Sequence, residues 1–148
     1  MIFKQTIKGV LMCRGKGVLT VVMVVISLFV ASTMLYGFDE KQVQVLKKTN
    51  NCTKCDLSGA KLSNLYLEYA DLSGANLSGA DLSNVMLSNA NLSGANLSGA
   101  NLSGANLSFA TLSGANMSKA SLSKTFFDQA TWINGKMCKV GSIGACKQ

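Results

Sequence analysis

The sequence predicts an all-β solenoid with a short capping helix ahead of it, and three observations carry that expectation. A large apolar residue recurs at every fifth position from 57 to 132, a small residue sits two places before it in most repeats, and Pro is absent. A period of five fits neither regular element. On an α-helix five residues turn the chain by about 500°, so successive leucines drift by roughly 140° and form no stripe. On a flat strand an odd step sends each leucine to the opposite face. The pattern works only where a short extended piece is followed by a turn that resets the phase, so the chain winds into a coil.

Residues 1–37 are expected to be a signal peptide or an N-terminal membrane anchor. Lys4, Lys8, Arg14 and Lys16 precede an uncharged stretch, 17–38, whose centre is strongly apolar, the arrangement of an export signal. Cleavage at Val30-Ala31-Ser32 or Leu35-Tyr36-Gly37 would suit a signal peptide, although neither is an ideal site. At about twenty apolar residues the stretch is also long enough to span a bilayer uncut. Either outcome puts the repeats outside the cytoplasm, whether periplasmic, secreted or held at the membrane.

Residues 38–54 read as an N-terminal cap. Solenoids leave core and strand edges bare at their ends; Asp39 is placed to cap a short helix whose Val43 and Leu46, with Phe38, cover the first coil.

The repeats occupy 55–134. With the central residue as position zero, it is Leu in thirteen of sixteen windows, and Met117, Phe127 and Trp132 complete the series. Position −2 is Ala in twelve windows, the exceptions being Cys55, Leu65, Val85 and Thr125. Alternation points −2 and zero inward together. The remaining positions, mostly Asn or Asp, then Ser, then Gly or Asn, are expected to face water and make the corners, where Gly and Asn tolerate positive φ. Residues 135–148 read as a loop closed over the last coil, with Phe127 and Trp132 sealing the core beneath it.

Segments such as Ala75-Asn76-Leu77-Ser78-Gly79, repeated through about half of the chain, resemble the pentapeptide-repeat family. That resemblance implies a right-handed quadrilateral β-helix with twenty residues per coil and about four coils, a rod on the order of 20 Å long at about 4.8 Å per coil. It also implies a packed interior with no room for a ligand.

On such a rod, Cys52 and Cys55 lie at one end and Cys138 and Cys146 at the other, too far apart for cross-pairing or for one zinc site. Local disulfides, Cys52 to Cys55 and Cys138 to Cys146, are expected in an oxidising compartment. The Cys52-Thr53-Lys54-Cys55 spacing leaves a redox or metal role open as alternatives. Cys13 falls in the basic leader.

The charge and composition narrow the chemistry. Formal net charge is +7, but four of the cations are in the leader, and 82–118 carries no charged side chain, so the rod has no phosphate-binding stripe. Nucleic acid is not an expected partner. With no His, a Ser-His-Asp triad is impossible, and the serines repeat as surface residues rather than sitting beside a base. No enzyme activity, cofactor or metal is expected. The acids at position −1 are read as solvating the faces.

Folding the windows into fours stacks those centred on 67, 87, 107 and 127 on one side, which collects most departures from consensus. Its outward residues Tyr66, Tyr69, Met86, Phe109 and Phe126 form a candidate interaction face. The partner class expected is an unknown protein or a second copy of the chain, with membrane contact only through an uncleaved N-terminal segment. The function expected is therefore an exported, non-catalytic structural or protein-interaction module. The alternative is a cytoplasmic DNA mimic that protects DNA gyrase, as in other members of the family. The leader disfavours it, and so does the balance of five acids against three lysines between Asp56 and Trp132.

Overall fold

The computed structural model describes residues 39–148. The expected signal peptide or anchor, and Phe38, lie outside the described residues. No helix among the described residues is long and apolar enough to cross a membrane.

Helix α1, Glu40–Thr49, opens the described chain. The Asp39 carboxylate accepts from the Lys41 N–H at 3.0 Å, satisfying one of the amides that a helix start leaves without partners. Glu40 lies in the first turn and Lys47 and Lys48 in the last, each favourable to the helix dipole. Asn50, at φ 53°, ends the helix by donating its N–H to the Leu46 carbonyl. Val43 and Leu46 are buried against the first coil, and Gln42 Oε1 accepts the Asp56 N–H at 2.6 Å.

The chain then winds into a four-sided coil. Asn51 pairs in parallel with Asp71, Asp71 with Asn91, Asn91 with Thr111, and Thr111 with Thr131, so each turn takes twenty residues and the chain makes four. The other three sides pair with the same offset. Every side is stitched to the next coil by main-chain bonds. Leu57 N–H donates to Asn76 O at 2.8 Å, Asn76 N–H donates to Cys55 O at 2.8 Å, and at the corner Gly59 N–H donates to Ser78 O at 2.9 Å.

The corners explain the period. At fifteen of the sixteen corners, Leu65 being the exception, the residue at position +3 donates to the carbonyl at zero, as Ala60 N–H does to Leu57 O at 3.1 Å. Position +2 has positive φ at all sixteen corners from Lys54 to Gln129, the signature of a type II turn. Gly fills many of these corners because it adopts that conformation without strain. The twelve leucines at every fifth position from Leu57 to Leu112 are essentially inaccessible, each contributing about 1.5–3 kcal/mol from burial. The alanines between them let opposite walls approach.

Position −1 does more than face water. Its side-chain oxygen accepts the N–H two residues on, from Ser58 to Asp56, Ser78 to Asn76, Ser93 to Asn91 and Ser98 to Asn96, at 3.1–3.3 Å. The same amides also bond between coils: Asn76 Nδ2 donates to Asp56, Asn96 to Asn76, and Asn116 to Asn96, at 3.0, 3.2 and 3.3 Å. The acids at this position are thus corner-forming groups rather than plain solvating ones. The hydroxyls of Ser58, Ser73 and Ser83, then their N–H groups, hold Asp56, Asp71 and Asp81 below the usual carboxylate range, with the amides of Asn76, Asn91 and Asn101 adding to the effect.

Two disulfides flank the coil. One joins Cys52 to Cys55 with Cα atoms 5.2 Å apart; the other joins Cys138 to Cys146 at 5.1 Å. Beyond Trp132 the chain reverses and pairs antiparallel with the last coil, Met137 with Thr131 and Ile143 with Phe126. The Asp128 carboxylate fastens this segment by accepting from Gly141 N–H at 2.8 Å and Ser142 N–H at 2.9 Å. Phe127 is fully buried and meets Trp132 edge to face at 5.0 Å, whereas Trp132 itself is half-buried.

Two outcomes follow from the corners. A Cβ added at Gly104 would run into Asn84 Oδ1, whereas Gly94, at nearly the same φ, faces open space. Gly94→Ala is expected to cost about 1–2 kcal/mol, the left-handed penalty alone. Gly104→Ala is expected to cost more, with thermal melts of the two compared side by side. The lowered carboxylates favour the fold above their unfolded pKa, and that contribution is lost as pH falls through the lower folded values. Stability is therefore expected to be flat above about pH 5 and to decline below about pH 4. Replacing Asp56, Asp71 and Asp81 with Asn, which fills the same position in other windows, is expected to flatten that decline in melts across the acid range.

Candidate interaction face

The side built from windows 67, 87, 107 and 127 is continuous because its position −1 residues pair directly: Tyr66 with Met86, Met86 with Asn106, and Asn106 with Phe126. Tyr66 is 77% exposed, Tyr69 75%, Phe109 54% and Phe126 41%, and Met86 is half-buried. The inward departures on this side pack in or against the core, Leu65 half-buried. Val85 and Thr125 are buried, and Thr125 Oγ1 donates to Leu102 O at 2.7 Å, which lets a hydroxyl stand where Ala is usual.

Tyr69 and Phe109 are held at corners, at φ 61° and 63°. An aromatic side chain in the left-handed region is a costly choice, on the order of 1–2 kcal/mol, and here the ring gains little burial in return. Gly or Asn takes this position at most other corners. Two such residues on one side, both exposed, are unexplained by the packing of the rod itself.

The structure adds a residue to this face. Ile143, 53% exposed, pairs with Phe126 and continues the row beyond the last coil. Sequence alone placed it in a closing loop with no register; only the antiparallel pairing brings it onto the face. Exposed Val140 and Met137 lie on the same returning segment. Glu68 stands half-buried near the opposite end. The polar contrast is the side of windows 57, 77, 97 and 117, where the amide ladder runs and no large apolar side chain is exposed.

The titratable groups of the face are Tyr66, Glu68, Tyr69 and Asp128, and the Asp128 carboxylate is engaged by two backbone amides. Among the described residues no group of three or more His, Cys, Asp or Glu side chains is placed to hold a metal ion. The four sulfurs of Cys52, Cys55, Cys138 and Cys146 are all taken up in disulfides.

A parallel coil of twenty residues, with a leucine core and a positive-φ corner in every pentapeptide, defines a four-sided β-solenoid protein. The family model for pentapeptide repeats matches residues 55–94 and again 95–131, and the chain belongs to that family. Among solved structures, HetL of the cyanobacterium Nostoc, a pentapeptide repeat protein involved in heterocyst differentiation regulation, is 29% identical, with a TM-score of 0.39 over 59% of this chain and 51% of that one. A second pentapeptide repeat protein from Nostoc is 34% identical, with a TM-score of 0.38 over 60% of this chain and 78% of its own. QnrB1, a plasmid-mediated fluoroquinolone resistance protein, is 21% identical, with a TM-score of 0.51 over 60% of this chain and 56% of that one; at that identity the likeness shows the fold alone. The chain spans about half the length of HetL and QnrB1. No curated protein matches in sequence.

If Tyr69 and Phe109 serve contact rather than folding, Tyr69→Asn and Phe109→Asn are expected to leave melting stability unchanged or raise it by up to about 1 kcal/mol. A core role would instead cost about 3 kcal/mol or more. Thermal or denaturant unfolding of each variant reads the difference.

Proposed function

We propose that this chain is a non-catalytic, extracytoplasmic interaction module that binds a protein partner or a second copy of itself through the face of Tyr66, Tyr69, Met86, Phe109 and Phe126. The observation that carries the reading is the pair of exposed aromatics at positive φ. They strain the backbone and add exposed apolar surface, and both costs are offset only when a partner covers the rings.

The two disulfides support a location outside the reducing cytoplasm, in keeping with the basic, apolar N-terminal sequence. In this reading they are structural staples, one below α1 and one in the returning segment, and the rod is a rigid spacer that presents its face. The DNA-mimic alternative is disfavoured by the scarcity of acids. Asp56, Glu68, Asp71, Asp81 and Asp128 face three lysines over the whole rod, which makes no dense acidic surface to imitate a duplex.

A photo-crosslinking residue placed at Phe109 in cells is expected to capture one defined species, and the same residue at Ser98 on the polar side to capture none. Tyr66→Ser, Met86→Ser and Phe109→Ser together are expected to abolish capture from a second position on the face, such as Phe126. Unchanged capture and oligomeric state in that variant, with only a lower melting temperature, would overturn the proposal.

A further inference from the structure

The last coil is closed on two of its four sides. The returning segment pairs with the sides centred on 127 and 132, where Phe127 N–H donates to Ser142 O at 2.8 Å and Cys138 N–H donates to Ala130 O at 2.8 Å. Among the described residues, the sides centred on 117 and 122 have no such cover. One coil earlier Leu97, Ala100 and Leu102 are fully buried, while Met117, Ala120 and Leu122, which stack on them, are only half-buried.

The main chain is left open at the same place. Leu97, Gly99, Leu102 and Gly104 donate to Asn116, Ser118, Ser121 and Ser123, at 2.7–2.9 Å. Among the described residues, the N–H groups of Met117, Lys119, Leu122 and Lys124 meet no acceptor. The carbonyls of Ala115 and Ala120 meet no donor either, whereas Ala95 and Ala100 above them accept from Asn116 and Ser121. This rim therefore offers donors and acceptors in the order that each coil presents to the next, above an apolar floor that is partly bare.

We infer that this rim is a strand-addition site for an acidic segment of a partner protein, extended along each of the two sides and turned once at the corner between them. Such a chain is the occupant that answers a row of main-chain donors and acceptors, and two apolar side chains five residues apart would complete the layer below Met117 and Leu122. The preference for acid comes from Lys119 and Lys124. Both are exposed at positive-φ corners of the rim, and residues 115–125 include no acid. The corners directly above them are Gly99 and Gly104, so the charge is new at this edge. Edge lysines discourage indiscriminate strand pairing and leave it open to a segment of opposite charge. A second copy is a poor occupant, because twofold pairing along this rim would set two lysines from each chain along one seam.

The test uses the full chain in detergent with a ten-residue peptide, Ala-Asp-Leu-Ser-Glu written twice, against a lysine counterpart, Ala-Asn-Leu-Ser-Lys written twice, and a scramble of the acidic one. The acidic peptide is expected to bind in preference to both and to slow amide hydrogen exchange at Met117, Lys119, Leu122 and Lys124. Lys119→Glu with Lys124→Glu is expected to weaken it by about tenfold or more and to favour the lysine peptide instead. Both side chains are exposed, and unchanged exchange at Leu92 serves as the folding control. Absence of binding, equal binding of the scramble, protection at other amides, or insensitivity to the charge reversal would each overturn the inference. So would protection of these four amides by self-association in the absence of peptide.

Discussion

The rod depends on one backbone constraint, a residue of positive φ at every fifth position. That conformation turns the chain through a corner in a fixed number of residues, so each leucine returns to the interior and carbonyls at positions −2, −1 and +1 meet amides of the neighbouring coil. The core, the ladder and the twenty-residue turn are consequences of it. Because L-residues other than Gly and Asn adopt this conformation at a cost, the corners are also where the sequence is most constrained, and a bulky side chain there is an informative exception.

The same regularity explains how a chain with few charges presents a polar surface. The position −1 amides and carboxylates are occupied twice, once by the corner they help form and once by the amide of the adjacent coil. Side chains committed to such a ladder are poorly available for other chemistry. The departures from the repeat concentrate on one side and at one end.

The two ends differ in how they solve the problem of exposed edges. At the N-terminal end α1 buries Val43 and Leu46 over a first coil whose Leu57, Leu62 and Leu67 are inaccessible. At the C-terminal end the returning segment, with its disulfide from Cys138 to Cys146, covers two sides, while Lys119 and Lys124 stand on the two left bare among the described residues. A helix closes an apolar end by area, without needing register; a returning strand closes only the sides it reaches. The asymmetry gives the coil a lateral face with aromatic character and a terminal rim with basic character, two surfaces of different chemistry.

The period of five, read against the geometry of helix and strand, determined the solenoid, the inward leucines and alanines, and the need for turn residues at fixed places, because these are local properties that each pentapeptide encodes for itself. The outward stack of Tyr66, Met86 and Phe126 was legible as soon as the windows were counted in fours. What only the tertiary structure decided is non-local. Whether Asp56 and Asn76 are solvated or bonded depends on the residue twenty positions away, and Ile143 joins the face only through an antiparallel register that no repeat specifies. That Met117 and Leu122, identical in role to the buried leucines by pattern, end half-exposed is a matter of how far the returning segment reaches, which the repeat does not encode.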